Sequence, residues 1–132
     1  MHHSFPFYNS IIQEEHLPKY LKSKHKRVIF GRDESIESLW RIHEKSLQDT
    51  NCDNESCSPS LLDIKAELAF RIHQHCHFCE HRCSINRDKN MGKCTSKESL
   101  IASEFLHYGE ESMLVPSHTI FFSGCSLYCV FC

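Results

Sequence analysis

The sequence predicts an α/β chain: a helical N-terminal region, a small cysteine-rich loop region, and then the first strand or strands of a sheet. Three observations predict it. Apolar residues recur twice at helical spacing before residue 75. Cys76, Cys79, Cys83 and Cys94 then fall close together among polar and basic residues. Beyond them the helical spacing gives way to β-favouring runs, the last of which leads into Cys125, Cys129 and Cys132. The expected division is therefore 1–57, a helical extension with little internal signal; 58–98, a helix plus the cysteine block; and 99–132, the start of the sheet.

At 132 residues the chain is long enough for one modest domain, or a small domain with an extension. A net charge of −2 argues against a nucleic-acid or acidic-membrane partner. No apolar run approaches the ~20 residues of a membrane-crossing helix. Met1-His-His-Ser-Phe-Pro-Phe-Tyr8 lacks the basic start and apolar centre of a secretory signal, so the expected compartment is the cytoplasm. Nine cysteines are many for that compartment, and the number is odd. A secreted disulfide framework favours an even count. Seven of the nine lie within residues 76–132 in two tight groups, which favours metal ligation by thiolates over bridging.

The elements follow in order. Lys19, Lys22, Lys24, Lys26 and Arg27 form a basic run around His25. It reads as a solvated helix or linker, or as a docking patch for a partner or RNA. Ile36, Leu39, Trp40, His43 and Leu47 mark one face of a helix, with Asp33 able to cap its first turn. Trp40 is expected to anchor a core, and His43 to be a satisfied, half-buried histidine. A polar connector over 49–60 carries Cys52 and Cys57, read as surface thiols because two thiols fall short of a four-ligand site. Ser58-Pro59 suits a second helix start. Leu61, Ile64, Leu68 and Ile72, with Ala69 beside them, supply its apolar face, and the helix is expected to run into Cys76. Ser99–Tyr108 reads as a strand and Gly109-Glu110-Glu111 as a turn. Thr119-Ile-Phe-Phe122 is wholly apolar, as expected for a strand buried on both faces.

Two cysteine patterns carry chemistry. Cys125-x3-Cys129-x2-Cys132 can hold three irons of a [4Fe–4S] cluster, leaving the fourth iron open to a ligand. Gly124 lets the backbone turn sharply next to it. Cys76-x2-Cys79-x3-Cys83-x10-Cys94 supplies four thiolates. These can close a tetrahedral zinc site or fill every iron of a second cluster, with a structural or electron-relay role. A reduced cysteine cluster without metal is the plain alternative. Arg82, Arg87, Lys89 and Lys93 can offset the charge of four thiolates. His75, His77 and His81 are interleaved and are expected beside such a site or in solvent.

Ile120-Phe-Phe-Ser-Gly-Cys-Ser-Leu-Tyr-Cys-Val-Phe-Cys132 resembles the first strand and cluster loop of the radical S-adenosylmethionine enzymes. The finer similarity is to the group related to pyruvate formate-lyase activating enzyme. In that group an upstream cysteine block, a segment resembling His107-Tyr-Gly-Glu-Glu111, and the cluster loop follow in this order. The resemblance covers 58–132 and not 1–57. It implies that Cys125, Cys129 and Cys132 bind a [4Fe–4S] cluster and that Phe131 lies against the adenine of S-adenosylmethionine. It implies reductive cleavage of that cosubstrate to a 5′-deoxyadenosyl radical, used to activate another protein by hydrogen abstraction. An electron donor such as a flavodoxin or ferredoxin, and a protein substrate, are the implied partners. The implied fold is a partial (β/α) barrel, of which only the first strands and the cluster loop fall within these residues. The chain is accordingly expected to be the N-terminal part of such an enzyme and inactive alone. Two readings stand beside this one: a non-catalytic zinc-binding module that contacts partners through Lys19–Arg27, and a small electron-transfer iron–sulfur protein.

Overall fold

The computed structural model describes residues 6–49, 55–112 and 114–130. It combines helices with a two-stranded antiparallel sheet. In order these are α1 (Pro6–Ile12), α2 (Lys19–Lys24), α3 (Ile36–Gln48), α4 (Leu61–Gln74), β1 (Ile101–His107) and β2 (Ser117–Phe122). No helix among the described residues is long and apolar enough to cross a membrane. The chain divides into two compact units, Met1–Arg71 and Ile72–Cys132. The division falls inside the block expected over 58–98, because most of α4 packs within the first unit.

In the first unit, Val28, Leu39, Leu61, Ile64 and Leu68 form the buried cluster, with Phe30, Ile36 and Ile42 packed against it. The helical face read from the sequence supplies most of these residues. Its outer members do not follow: Trp40 and Leu47 are exposed, and so is Ala69. Both helices start at caps other than those expected. The Ser35 hydroxyl, not Asp33, accepts the Ser38 N–H at 3.1 Å. Ser60, not Ser58, opens α4: its N–H and hydroxyl donate to one Asp63 carboxylate oxygen, each at 2.7 Å, and its oxygen accepts the Asp63 N–H at 3.3 Å. This reciprocal cap satisfies donors that the first helical turn leaves without partners. The strand-like segment before α3 is stitched to it, with the Val28 N–H on the Pro59 carbonyl at 3.1 Å and the Leu61 N–H on the Lys26 carbonyl at 2.7 Å. Arg71 closes the far end, bonding Glu67 at 2.8 Å, the Arg32 carbonyl at 2.7 Å and the Glu34 carbonyl.

In the second unit, β1 and β2 pair antiparallel from Ile101 opposite Phe122 to His107 opposite Ser117, with an irregularity between Ile101 and Ser103. Phe105 and Phe121 stack across the pair at 5.9 Å. The apolar run over 119–122 is a strand, as its composition predicts, but it is not buried on both faces: Ile120, Phe121 and Phe122 are exposed. Apolarity reports what a strand tolerates; burial requires a covering layer, and none covers this pair among the described residues.

Candidate metal centre

α4 ends at Gln74, and Cys76 follows it almost completely buried, at 1% exposure. The chain then turns back on itself. Arg82 and Ser84 take left-handed backbone conformations, with φ of 41° and 55°. The return leg pairs with the start: Ser84 N–H to Cys76 carbonyl at 2.8 Å, and Cys76 N–H to Ile85 carbonyl at 2.9 Å. Cys79 and Cys83 therefore sit on a short loop whose base is Cys76. The last turn of α4 holds the next segment, with the Arg87 N–H on the His73 carbonyl at 3.1 Å and His73 Nε2 3.0 Å from the Lys97 carbonyl.

Arg87 is the centre of this block. One arm of its guanidinium donates to Cys76 Sγ at 3.3 Å, and the other donates to Cys94 Sγ at 3.2 Å and to the Ser96 carbonyl. Contact with these two sulfurs raises the Arg87 pKa above its ordinary value. A backbone hydrogen bond from Ser96, and then the Arg87 charge, hold the Cys94 thiol below the usual thiol range. Cys83 Sγ accepts the Lys93 N–H at 3.5 Å. A Cβ placed on Gly92 would stand 3.6 Å from Cys83 Sγ, 3.7 Å from Cys94 Sγ and 3.4 Å from Arg87 Nη1. As the side chains stand, no three Cys, His, Asp or Glu donors among the described residues converge tightly enough to hold a metal ion. The sulfurs of Cys76, Cys83 and Cys94 surround Arg87 and Gly92 instead. Of the four cations that could offset thiolate charge, Arg87 reaches two sulfurs with its side chain, and Lys93 reaches one through its backbone.

The C-terminal cysteine loop leaves β2 through Ser123, whose N–H bonds the Leu100 carbonyl at 2.7 Å. Gly124 then adopts φ +83°, and a Cβ there would meet the Cys94 carbonyl oxygen and Ser96 Cβ at 3.1 Å. Both the left-handed backbone and the close approach call for glycine. Cys125 is exposed and Cys129 half-buried. The Leu127 N–H points at Cys125 Sγ at 3.3 Å, and Tyr128, at φ +51°, curls the loop toward Cys129. Cys132 and Phe131, the expected third ligand and adenine contact, lie outside the described residues, as does Cys52. The Cys57 thiol donates to the Lys24 carbonyl at 3.4 Å, within the first unit.

His81 links the two cysteine groups. Its Nε2 lies 2.8 Å from the Ser126 carbonyl, and its ring packs edge-on to Tyr128 at 5.8 Å. The sequence singles out His81 only as one of three interleaved histidines; nothing in its spacing from the terminal cysteines marks this contact. In the His107–Glu111 segment, His107 Nδ1 is 3.3 Å from a Glu110 carboxylate oxygen.

Comparison with known proteins adds one relative. The chain is 52% identical over 103 residues to an uncharacterized protein of Methanocaldococcus jannaschii. That match takes in 74% of this chain and spans 30% of the relative's length. No protein-family model matches the chain. No solved structure matches it either.

Proposed function

We propose that this chain supplies the cluster-binding loop of a radical S-adenosylmethionine enzyme, with Cys125, Cys129 and Cys132 as the three thiolate ligands of a [4Fe–4S] cluster. The observation that carries the reading is the loop itself. A strand delivers the chain to Gly124, whose left-handed turn brings Cys125 out at the surface, and a backbone N–H two residues on is aimed at its sulfur. N–H···S bonds of this kind stabilise thiolates that carry cluster charge. Cys129 follows after a second left-handed residue, so the two described ligands lie on one curled loop.

When bound, such a cluster would supply the electron that cleaves S-adenosylmethionine, the chemistry belonging to the cofactor. The residues of this chain hold the cluster and fix the loop. Gly124 packs on Cys94 and Ser96, and His81 bonds the Ser126 carbonyl. The finer fold in this proposal is the opening of a partial (β/α) barrel, with the exposed apolar strand β2 as its first inner strand. Pyruvate formate-lyase-type activation of a protein substrate, with a flavodoxin or ferredoxin as donor, is the activity proposed for the whole protein. The cosubstrate pocket is not assigned to these residues.

Anaerobic reconstitution with iron and sulfide tests this, on a form that continues past Cys132. About four irons per chain should be retained in a Cys76→Ser/Cys79→Ser/Cys83→Ser/Cys94→Ser background. They should be lost in Cys125→Ser or Cys129→Ser, and S-adenosylmethionine should perturb the cluster spectrum. Iron uptake that ignores Cys125 and Cys129 would overturn the proposal.

A further inference from the structure

His81 and Cys125 are joined through a single peptide unit. The Ser126 carbonyl lies 2.8 Å from His81 Nε2, and the N–H across the same peptide bond, that of Leu127, is 3.3 Å from Cys125 Sγ. A carbonyl oxygen only accepts, so His81 Nε2 carries the hydrogen and donates it. The peptide is planar and trans, with its C=O and N–H directed oppositely. A donor held on the oxygen therefore fixes where the N–H points. It also polarises the amide, which strengthens the bond the N–H makes on its other side.

The same imidazole braces the residue that follows. Its ring packs edge-on to Tyr128 at 5.8 Å, and Tyr128 holds φ +51°, a left-handed conformation that a bulky side chain rarely adopts. His77, by contrast, spends its Nδ1 on the His75 carbonyl at 2.8 Å, within its own turn. The entry to the loop is fixed separately, because Gly124 rests on the Cys94 carbonyl oxygen and Ser96. The contacts of His81 thus bear on residues 126–128, between Cys125 and Cys129, and all of them lie within the unit Ile72–Cys132.

We propose that His81 is a positioning residue for the cluster loop: by holding the Ser126–Leu127 peptide it aims and strengthens the N–H···Sγ bond to Cys125, and so raises the reduction potential of a cluster bound there. The inference rests on the reading of Cys125, Cys129 and Cys132 as cluster ligands. Hydrogen bonds to ligand sulfurs raise the potential because a reduced cluster places more negative charge on its thiolates. His81 is exposed and Ser126 half-buried, so water competes for the bond between them. Polarisation along such a chain strengthens a bond by about 10–30%. For a bond to a charged acceptor that amounts to a few-fold change in the reduced-to-oxidised ratio, not to loss of the cluster.

The test uses the form that continues past Cys132, reconstituted anaerobically with the 76–94 block intact. It follows the cluster that depends on Cys125 and Cys129 and responds to S-adenosylmethionine. His81→Phe keeps a ring against Tyr128 but has no donor, whereas His81→Gln restores an N–H. At the parent's midpoint potential, the reduced-to-oxidised ratio should fall about 2–5-fold in His81→Phe and recover in His81→Gln. The iron–thiolate stretching band in resonance Raman spectra should rise in frequency in His81→Phe, as a weaker N–H···S bond leaves more sulfur charge for iron. A full cluster with an unchanged potential in His81→Phe would overturn the inference. So would iron loss with no shift in the clusters that remain, which is the mark of a purely structural role, or equal shifts in the two variants. Absence of such a cluster from the parent itself would overturn the reading of the loop and this inference with it, so the parent measurement separates the two failures.

Discussion

His43 is only 9% exposed, and its Nδ1 is buried without a hydrogen-bond partner, while Trp40, 5.5 Å away edge-on, is 40% exposed. The helical stripe places both on one face but cannot rank them. Which of two neighbours faces the core depends on the helix's rotation against Val28 and α4, and that is a tertiary quantity. Burial, reinforced by Lys65 and opposed by Glu44, lowers the His43 pKa from its ordinary 6.5. The folded chain therefore resists protonation there, while the unfolded chain takes the proton near pH 6.5. The stability His43 confers is whole above that value. It is lost as pH falls below it and through the lowered folded pKa. The urea midpoint of the parent should fall between pH 7.5 and 5.5 by more than that of His43→Leu, which cannot titrate and leaves no polar atom unpaired. Equal slopes for the two proteins would exclude this account. Arg87 shows the same limit at the cysteine block. The sequence offers four cations that could balance thiolates, and only the folded turn shows which guanidinium reaches two sulfurs.

Helices α3 and α4 are legible as elements because their apolar residues repeat at 3.6-residue spacing over three turns or more. Their starts are not, because a cap is chosen by what it bonds. Ser58-Pro59 has the composition of a helix start, yet Ser60 is the residue that is 1% exposed, bonds Asp63 reciprocally and sits where the 26–28 segment joins α4. Ser60→Ala should therefore cost about 1–2 kcal/mol of unfolding free energy, the upper range for a lost N-cap. Ser58→Ala should change it by less than about 0.5 kcal/mol. Denaturant titration of the two variants decides between the caps, and a larger loss at Ser58 would reverse the assignment. The β1–β2 pair shows the opposite balance. Its strands and the turn between them are readable from composition, but the apolar run of β2 suggests two covered faces where the described residues provide none. Composition shows that a strand can be buried, and the covering partner is a separate fact about other residues.

At the scale of the whole molecule, the two units are held together internally by different forces. Every residue of the buried apolar cluster belongs to Met1–Arg71. Within Ile72–Cys132 the buried side chain among the described residues is Cys76. A unit of this size without an apolar core needs another source of stability, and small domains find it in metal ions or cross-links. Here the available sources are the β1–β2 ladder, the Arg87–sulfur bonds and the ties from Gly124 and His81 to the terminal loop. If the four cysteines of 76–94 take up a metal ion, as their spacing allows, its binding energy is largely the folding energy of this unit. Removing it should then act on one unit and spare the other. With zinc bound, amides of 76–94 and of β1 and β2 should exchange slowly with deuterium. After chelation they should exchange near the unfolded rate, while amides of α3 and of α4 up to Arg71 keep their protection. The protection of Leu127, whose N–H is aimed at Cys125 Sγ, should fall with the block, because Gly124 rests on Cys94 and His81 bonds Ser126. Exchange that slows or quickens uniformly along the chain would show that the ion does not stabilise this unit selectively. Loss confined to 76–94, with the Leu127 amide unchanged, would show that the two cysteine groups touch without being coupled.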